Sequence, residues 1–140
     1  MKVIILDDSK EDRDIIHHYL SKYNNNIDIQ LSKNFKEAEI LLKENNFDAI
    51  FLDLNLPKSE GIETVKKMQE ILNNYNKNTS IIVLTGIHNY KIGKQSLKLG
   101  ASDFLIKDEN NYNDINRALN FATYSNHLPD RKQTLENIPF

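Results

Sequence analysis

The chain has 140 residues and a formal net charge of −2, enough for one compact domain with a real core and too short for two ordinary ones. Acidic and basic residues are mixed along it, so direct nucleic-acid binding and attachment to a membrane surface are not expected. Cysteine is absent, which removes disulfides, thiolate zinc sites and a cysteine nucleophile, and His17, His18, His88 and His127 include no i, i+4 pair that would hold a metal on one helical face.

In chain order, the apolar run from Val3 to Leu6 predicts a strand and is too short for a signal peptide or a membrane helix, so a cytoplasmic protein is the expectation. A first helix follows with Ile15, Ile16, Tyr19 and Leu20 as its inward stripe. Ile27 to Leu31 predicts the second strand, and Phe35, Ala38, Ile40, Leu41 and Leu42 the second helix. Ala49 to Leu52 is the third strand, before a helix carrying Ile62, Val65, Met68, Ile71 and Leu72. Ser80 to Leu84 is the fourth strand, and the next helix runs from about Tyr90 to Leu99, where Gly100 supplies a left-handed cap. Phe104 to Ile106 is the fifth strand, and the last helix carries Ile115, Ala118, Leu119 and Ala122 and stops before Pro129.

Strict alternation with nearly continuous apolar strands predicts an α/β fold: a three-layer (βα)5 sandwich around a five-stranded parallel sheet. In such sheets ligands bind at the carboxyl ends of the strands. Those ends carry Asp7-Asp8, Asp53, Thr85 and Lys107. Crowded carboxylates repel unless a cation offsets them, and hard oxygen donors without imidazole or thiolate point to Mg²⁺. Taken singly, Asp7-Asp8 reads equally as a helix start, Asp53 as a turn residue, Thr85 as a strand end and Lys107 as a solvated lysine; the conjunction is what singles them out.

Leu6-Asp7-Asp8, Leu52-Asp53-Leu54-Asn55-Leu56-Pro57 with Gly61, Leu84-Thr85-Gly86 and Gly100-Ala101-Ser102-Asp103-Phe104-Leu105-Ile106-Lys107 carry a resemblance to bacterial response-regulator receiver domains from Met1 to about Asn126. The resemblance implies a flavodoxin-like receiver over 1–126 with a tail over 127–140. It implies that Asp53 is the phosphoacceptor, that Asp8, Asp53 and the backbone carbonyl of Asn55 bind Mg²⁺ directly, and that Asp7 acts through a water. Thr85 and Lys107 would contact the phosphoryl group. Thr85 would be coupled to an aromatic switch residue, here Phe104, whose other reading is a plain core aromatic. Implied partners are a histidine kinase or phosphotransfer protein and a downstream protein effector, with a possible homodimer through the fourth helix, fifth strand and last helix. The protein would catalyse only its own phosphorylation and dephosphorylation.

Two departures from the family pattern carry expectations. Lys107 is followed by Asp108 where many receivers have a cis proline, so a trans bond is expected. Ile87, two residues beyond Thr85, is apolar where hydrolytic water passes, which predicts slow self-dephosphorylation. The polar tail after Asn126 is too short for an output domain. Glu60-Gly61-Ile62-Glu63-Thr64, Ile106-Lys107-Asp108-Glu109 and Arg117-Ala118-Leu119 look like receivers that precede sensor, histidine-kinase or diguanylate-cyclase modules, so both a single-domain regulator and a receiver cut from a larger protein stay open.

Three rival classes share features with this pattern. A haloacid-dehalogenase-like phosphatase would place an acid two residues after its nucleophile, where this chain has Asn55. A flavodoxin-like carrier would need a phosphate cradle where Asp7 to Asp12 is acidic. A phosphorylation-independent pseudo-receiver would keep the fold without using Asp8, Asp53, Thr85 and Lys107.

Overall fold

Residues 1–23, 26–86, 89–108 and 112–126 are described by the computed structural model. β1 (Lys2–Leu6) leads through α1 (Lys10–Tyr23) to β2 (Asp28–Ser32), and α2 (Phe35–Glu44) leads to β3 (Ala49–Asp53). Two short strands, β4 (Asn55–Leu56) and β5 (Ser59–Glu60), form an antiparallel hairpin before α3 (Ile62–Asn74). β6 (Ser80–Thr85), α4 (Tyr90–Lys98), β7 (Asp103–Ile106) and α5 (Ile115–Asn126) complete the order. The main sheet is parallel throughout, in the order β2-β1-β3-β6-β7.

Alternation along the buried strands feeds two cores. Ile4, Leu6, Ile50, Leu52, Ile81 and Val83 meet Ala38 and Leu42 of α2 and Val65, Met68, Ile71 and Leu72 of α3. On the opposite face Val3, Ile5, Ala49, Phe51, Ile82 and Leu84 meet Ile16 and Leu20 of α1 and Ile115, Ala118, Leu119 and Ala122 of α5. That is the expected three-layer sandwich. β3 and β6 are buried along their whole length, as central strands must be, whereas β2 and β7 at the sheet edges are only partly covered.

The helix stripes are narrower than expected in two places. Ile15 is 38% exposed and Ile40 51% exposed, because each stands one residue off the inward face that Ile16 or Leu41 and Leu42 occupy. α4 packs differently from the others: its buried residues are Gly93 and Ser96, while Tyr90 and Leu97 face out. Small residues bring this helix backbone close to β7. α4 ends as expected at Gly100, whose φ of +106° lies in the region that favours glycine. At α2 the N-cap Asn34 side chain accepts a hydrogen bond from the Glu37 N–H (2.9 Å), and Glu37 Oε2 reaches back past the cap to accept one from the Lys33 N–H (2.9 Å).

Candidate functional site

β1 and β3 lie side by side, and from their carboxyl ends the chain departs toward opposite flanks of the sheet. Asp7 extends β1 by one residue, its N–H donating to Ser32 O at 3.1 Å, and is fully buried. Its Oδ1 accepts the Ser9 N–H at 2.9 Å, which turns the chain so that Asp8 points outward, exposed. Ser9 then caps α1, its Oγ accepting the Asp12 N–H at 3.2 Å.

Asp53 closes β3 and is 3% exposed, with Oδ1 accepting the Asn55 N–H at 3.1 Å. The β4–β5 hairpin folds the following segment back until the Gly61 N–H donates to Leu54 O (3.0 Å), and Gly61 sits at φ +59° at the start of α3. Asp7, Asp8 and Asp53 each offer a carboxylate oxygen, and these atoms lie within 4.8 Å of one another.

Lys107 enters from β7, its N–H donating to Thr85 O at 2.8 Å, and the peptide bond to Asp108 is trans as expected. Its Nζ lies 2.7 Å from Asp7 Oδ2, 2.8 Å from Asp12 Oδ2 and 3.3 Å from Asp53 Oδ1. The Asp12 contact is an aligned hydrogen bond; the Asp7 contact is a charge pairing without that alignment. Burial pushes the Asp7 carboxyl up to about 6, with the Asp53 charge adding to the rise and Lys107 and the Ser9 N–H opposing it. For Lys107 burial alone would lower the pKa, but the carboxylates of Asp12, Asp7 and Asp53 outweigh it and hold the ammonium above its usual range.

Thr85 closes β6 and is 1% exposed, and its Oγ1 has no hydrogen-bond partner among the described residues. Such a hydroxyl is costly to bury without a partner. Phe104 stands half-buried on β7 against α4, edge-on to Tyr90 with ring centroids 5.4 Å apart. Of the residues singled out from sequence, Asp7, Asp8, Asp53 and Lys107 therefore share one crevice, and Asn55 contributes its N–H to it. Thr85 lies one residue beyond the Asp53–Leu84 pair of the ladder. Ile87 lies outside the described residues. Sequence reasoning missed Asp12; its signal was a carboxylate in the first turn of the helix that follows Asp7-Asp8.

A parallel five-stranded α/β sheet with an acidic cluster and a lysine at its switch point defines a signalling module of the receiver type. The chain belongs to the response regulator receiver domain family, whose model matches residues 3–120, and it is a receiver domain of a two-component response regulator. It is 32% identical over 106 residues to the transcriptional regulatory protein SrrA of Staphylococcus aureus, an alignment that covers 76% of this chain and 41% of that protein. The match thus spans about two-fifths of the length of that relative. Among solved structures it is similar to a response regulator receiver domain protein from Clostridium thermocellum, with a TM-score of 0.72 at 22% identity over 96% of this chain and 98% of that one. It is also similar to the receiver domain of the Francisella response regulator 1452, with a TM-score of 0.65 at 31% identity, covering 89% of this chain and 98% of that one. Among the described residues, no helix is long and apolar enough to cross a membrane.

Proposed function

We propose that Asp53 accepts a phosphoryl group from a histidine kinase or phosphotransfer protein, with Mg²⁺ in the acidic crevice, and that the acyl phosphate alters the α4–β7–α5 surface to control a protein effector. One observation carries this reading: Asp53, nearly buried at the end of β3, is shared between a cluster of three carboxylates and the Lys107 ammonium 3.3 Å from its Oδ1.

The donor set fits Mg²⁺. Every candidate ligand is a hard oxygen, and the upward shift of Asp7 to about 6 reflects burial and negative charge that a divalent cation would offset. Asp8, Asp53 and the Asn55 carbonyl would hold the ion directly and Asp7 through a water. Bound there, Mg²⁺ supplies charge neutralisation between the nucleophile and the phosphoryl oxygens.

The chain's own residues supply the rest. Asn55 N–H and Lys107 both engage Asp53 Oδ1 and fix the plane of its carboxylate. An Asp53 oxygen attacks phosphorus in line, the P–N bond of the phosphohistidine breaks with its electron pair left on the imidazole nitrogen, and an acyl phosphate forms. Lys107 donates to an equatorial oxygen, and Thr85 supplies its unpartnered hydroxyl to another. Movement of Thr85 and Phe104 would pass the change to α4 and β7, the surface through which a homodimer is also expected. Shielding of the acyl phosphate by Ile87 belongs to the same proposal, and the tail expected over 127–140 lies outside the described residues.

The test is intact mass after incubation with Mg²⁺ and acetyl phosphate, with chelator and Asp53→Asn as controls. A single phosphoryl gain that both controls abolish supports the reading. No gain from folded protein, or a gain that persists in Asp53→Asn, overturns it.

A further inference from the structure

Lys107 has three ammonium protons and three carboxylate neighbours. Two of those neighbours have other employment in the proposed chemistry: Asp53 is the nucleophile and Asp7 serves the metal. Asp12 has none. It stands in the first turn of α1, less than one-third exposed, and forms the aligned hydrogen bond to Nζ. Its backbone is fixed from behind by Ser9, whose Oγ accepts the Asp12 N–H, and the next residue, Arg13, ties the helix start to the site by donating to Asp7 O at 2.7 Å.

We infer that Asp12 is a positioning residue for phosphoryl transfer: it tethers the Lys107 ammonium at the crevice so that one of its N–H donors is redirected from Asp53 to the incoming phosphoryl oxygen while the Asp12 bond is kept. The inference rests on the phosphoacceptor reading of Asp53. The exchange is one for one, because the Asp53 contact, at 3.3 Å, is the longest of the three and is the one at the reacting carboxylate. The tether matters here because Lys107 is followed by Asp108, so no proline ring constrains the loop that carries the lysine. A flexible four-carbon stem needs a fixed acceptor to keep its charge in one place.

The experiment follows phosphorylation of the full chain by acetyl phosphate in saturating Mg²⁺, for wild type, Asp12→Asn and Asp12→Glu. The rate constant at saturating donor is separated from the donor concentration that gives half that rate. The Lys107 ammonium is followed in parallel by ¹H–¹⁵N NMR. Asp12→Asn is expected to lower the saturating rate constant about tenfold, with a smaller effect on half-saturation, and to lose the slowly exchanging Nζ signal. Asp12→Glu is expected to recover much of both. A saturating rate constant in Asp12→Asn equal to or above wild type overturns the inference, as does an Nζ signal left unchanged. Wild type that takes up no phosphoryl group would instead overturn the phosphoacceptor reading beneath it, so the two failures are distinct.

Discussion

The Phe104 ring occupies the space that a side chain on Gly93 would need. A Cβ built at Gly93 falls 2.8 Å from both Phe104 Cγ and Cε2, with Cδ2 nearer still. Glycine inside a helix ordinarily costs about 0.5–1 kcal/mol relative to alanine, so Gly93→Ala would stabilise α4 if the ring were elsewhere. With the ring in place, overpacking costs about 1–3 kcal/mol and wins. Gly93→Ala is therefore expected to lower stability in urea denaturation, and Gly93→Ala with Phe104→Leu to recover most of the loss. A single variant more stable than wild type would show that the ring does not rest on α4.

Thr85 calls for the opposite sign. Its buried hydroxyl has no partner among the described residues, so Thr85→Val should leave resting stability unchanged or raise it by up to about 1 kcal/mol. The same change should reduce the amide shift changes that beryllofluoride and Mg²⁺ induce in α4 and β7. A loss of more than about 1 kcal/mol would mean that the hydroxyl is already bonded in the resting protein.

Asp7 sets a pH dependence. Its carboxyl is raised from 3.8 to about 6 in the fold, so the folded state holds the proton more tightly than the unfolded chain. The resulting penalty is absent below the lower value and complete above the higher one. In Mg²⁺-free buffer, the stability of Asp7→Asn relative to wild type is thus expected to climb as pH rises across that window and then level off. Denaturation curves at about pH 4, 5, 6 and 7 measure it, and a relative stability that falls with pH would contradict the buried, charge-crowded setting of Asp7.

Lys107 neutralises part of that crowding. Lys107→Met leaves Asp7, Asp12 and Asp53 without their cation and should cost on the order of 2 kcal/mol in Mg²⁺-free buffer, less than a wholly enclosed pair would because the cluster opens to solvent. Millimolar Mg²⁺ should return part of the loss. Equal destabilisation with and without Mg²⁺ would separate the lysine from the metal site.

The five main strands were legible because they are short, mostly apolar runs rich in β-branched and aliphatic residues that end at polar residues, so even Asp53 and Thr85 were placed at the strand ends. The β4–β5 hairpin was not: two-residue strands show no alternation, and Pro57-Lys58 carries none of the glycine chemistry that marks a tight hairpin. Ile15 and Ile40 misled because runs of adjacent apolar residues do not say which member faces inward. Asp12 was hidden by its ordinary place among helix-start acids; only the reach of Lys107 from a strand 95 residues away gives it a partner. Gly93 was likewise mute, since its meaning lies in a ring on β7 and not in its own helix.

The central claim is that Asp53 itself carries the phosphoryl group, and its most direct test is chemical mapping. The protein is incubated with Mg²⁺ and acetyl phosphate, the acyl phosphate is reduced with borohydride, and the product is digested and sequenced by mass spectrometry. The expected product is homoserine at position 53, with Asp7, Asp8 and Asp12 unmodified. Homoserine at one of those three aspartates instead, or at none, would contradict the account.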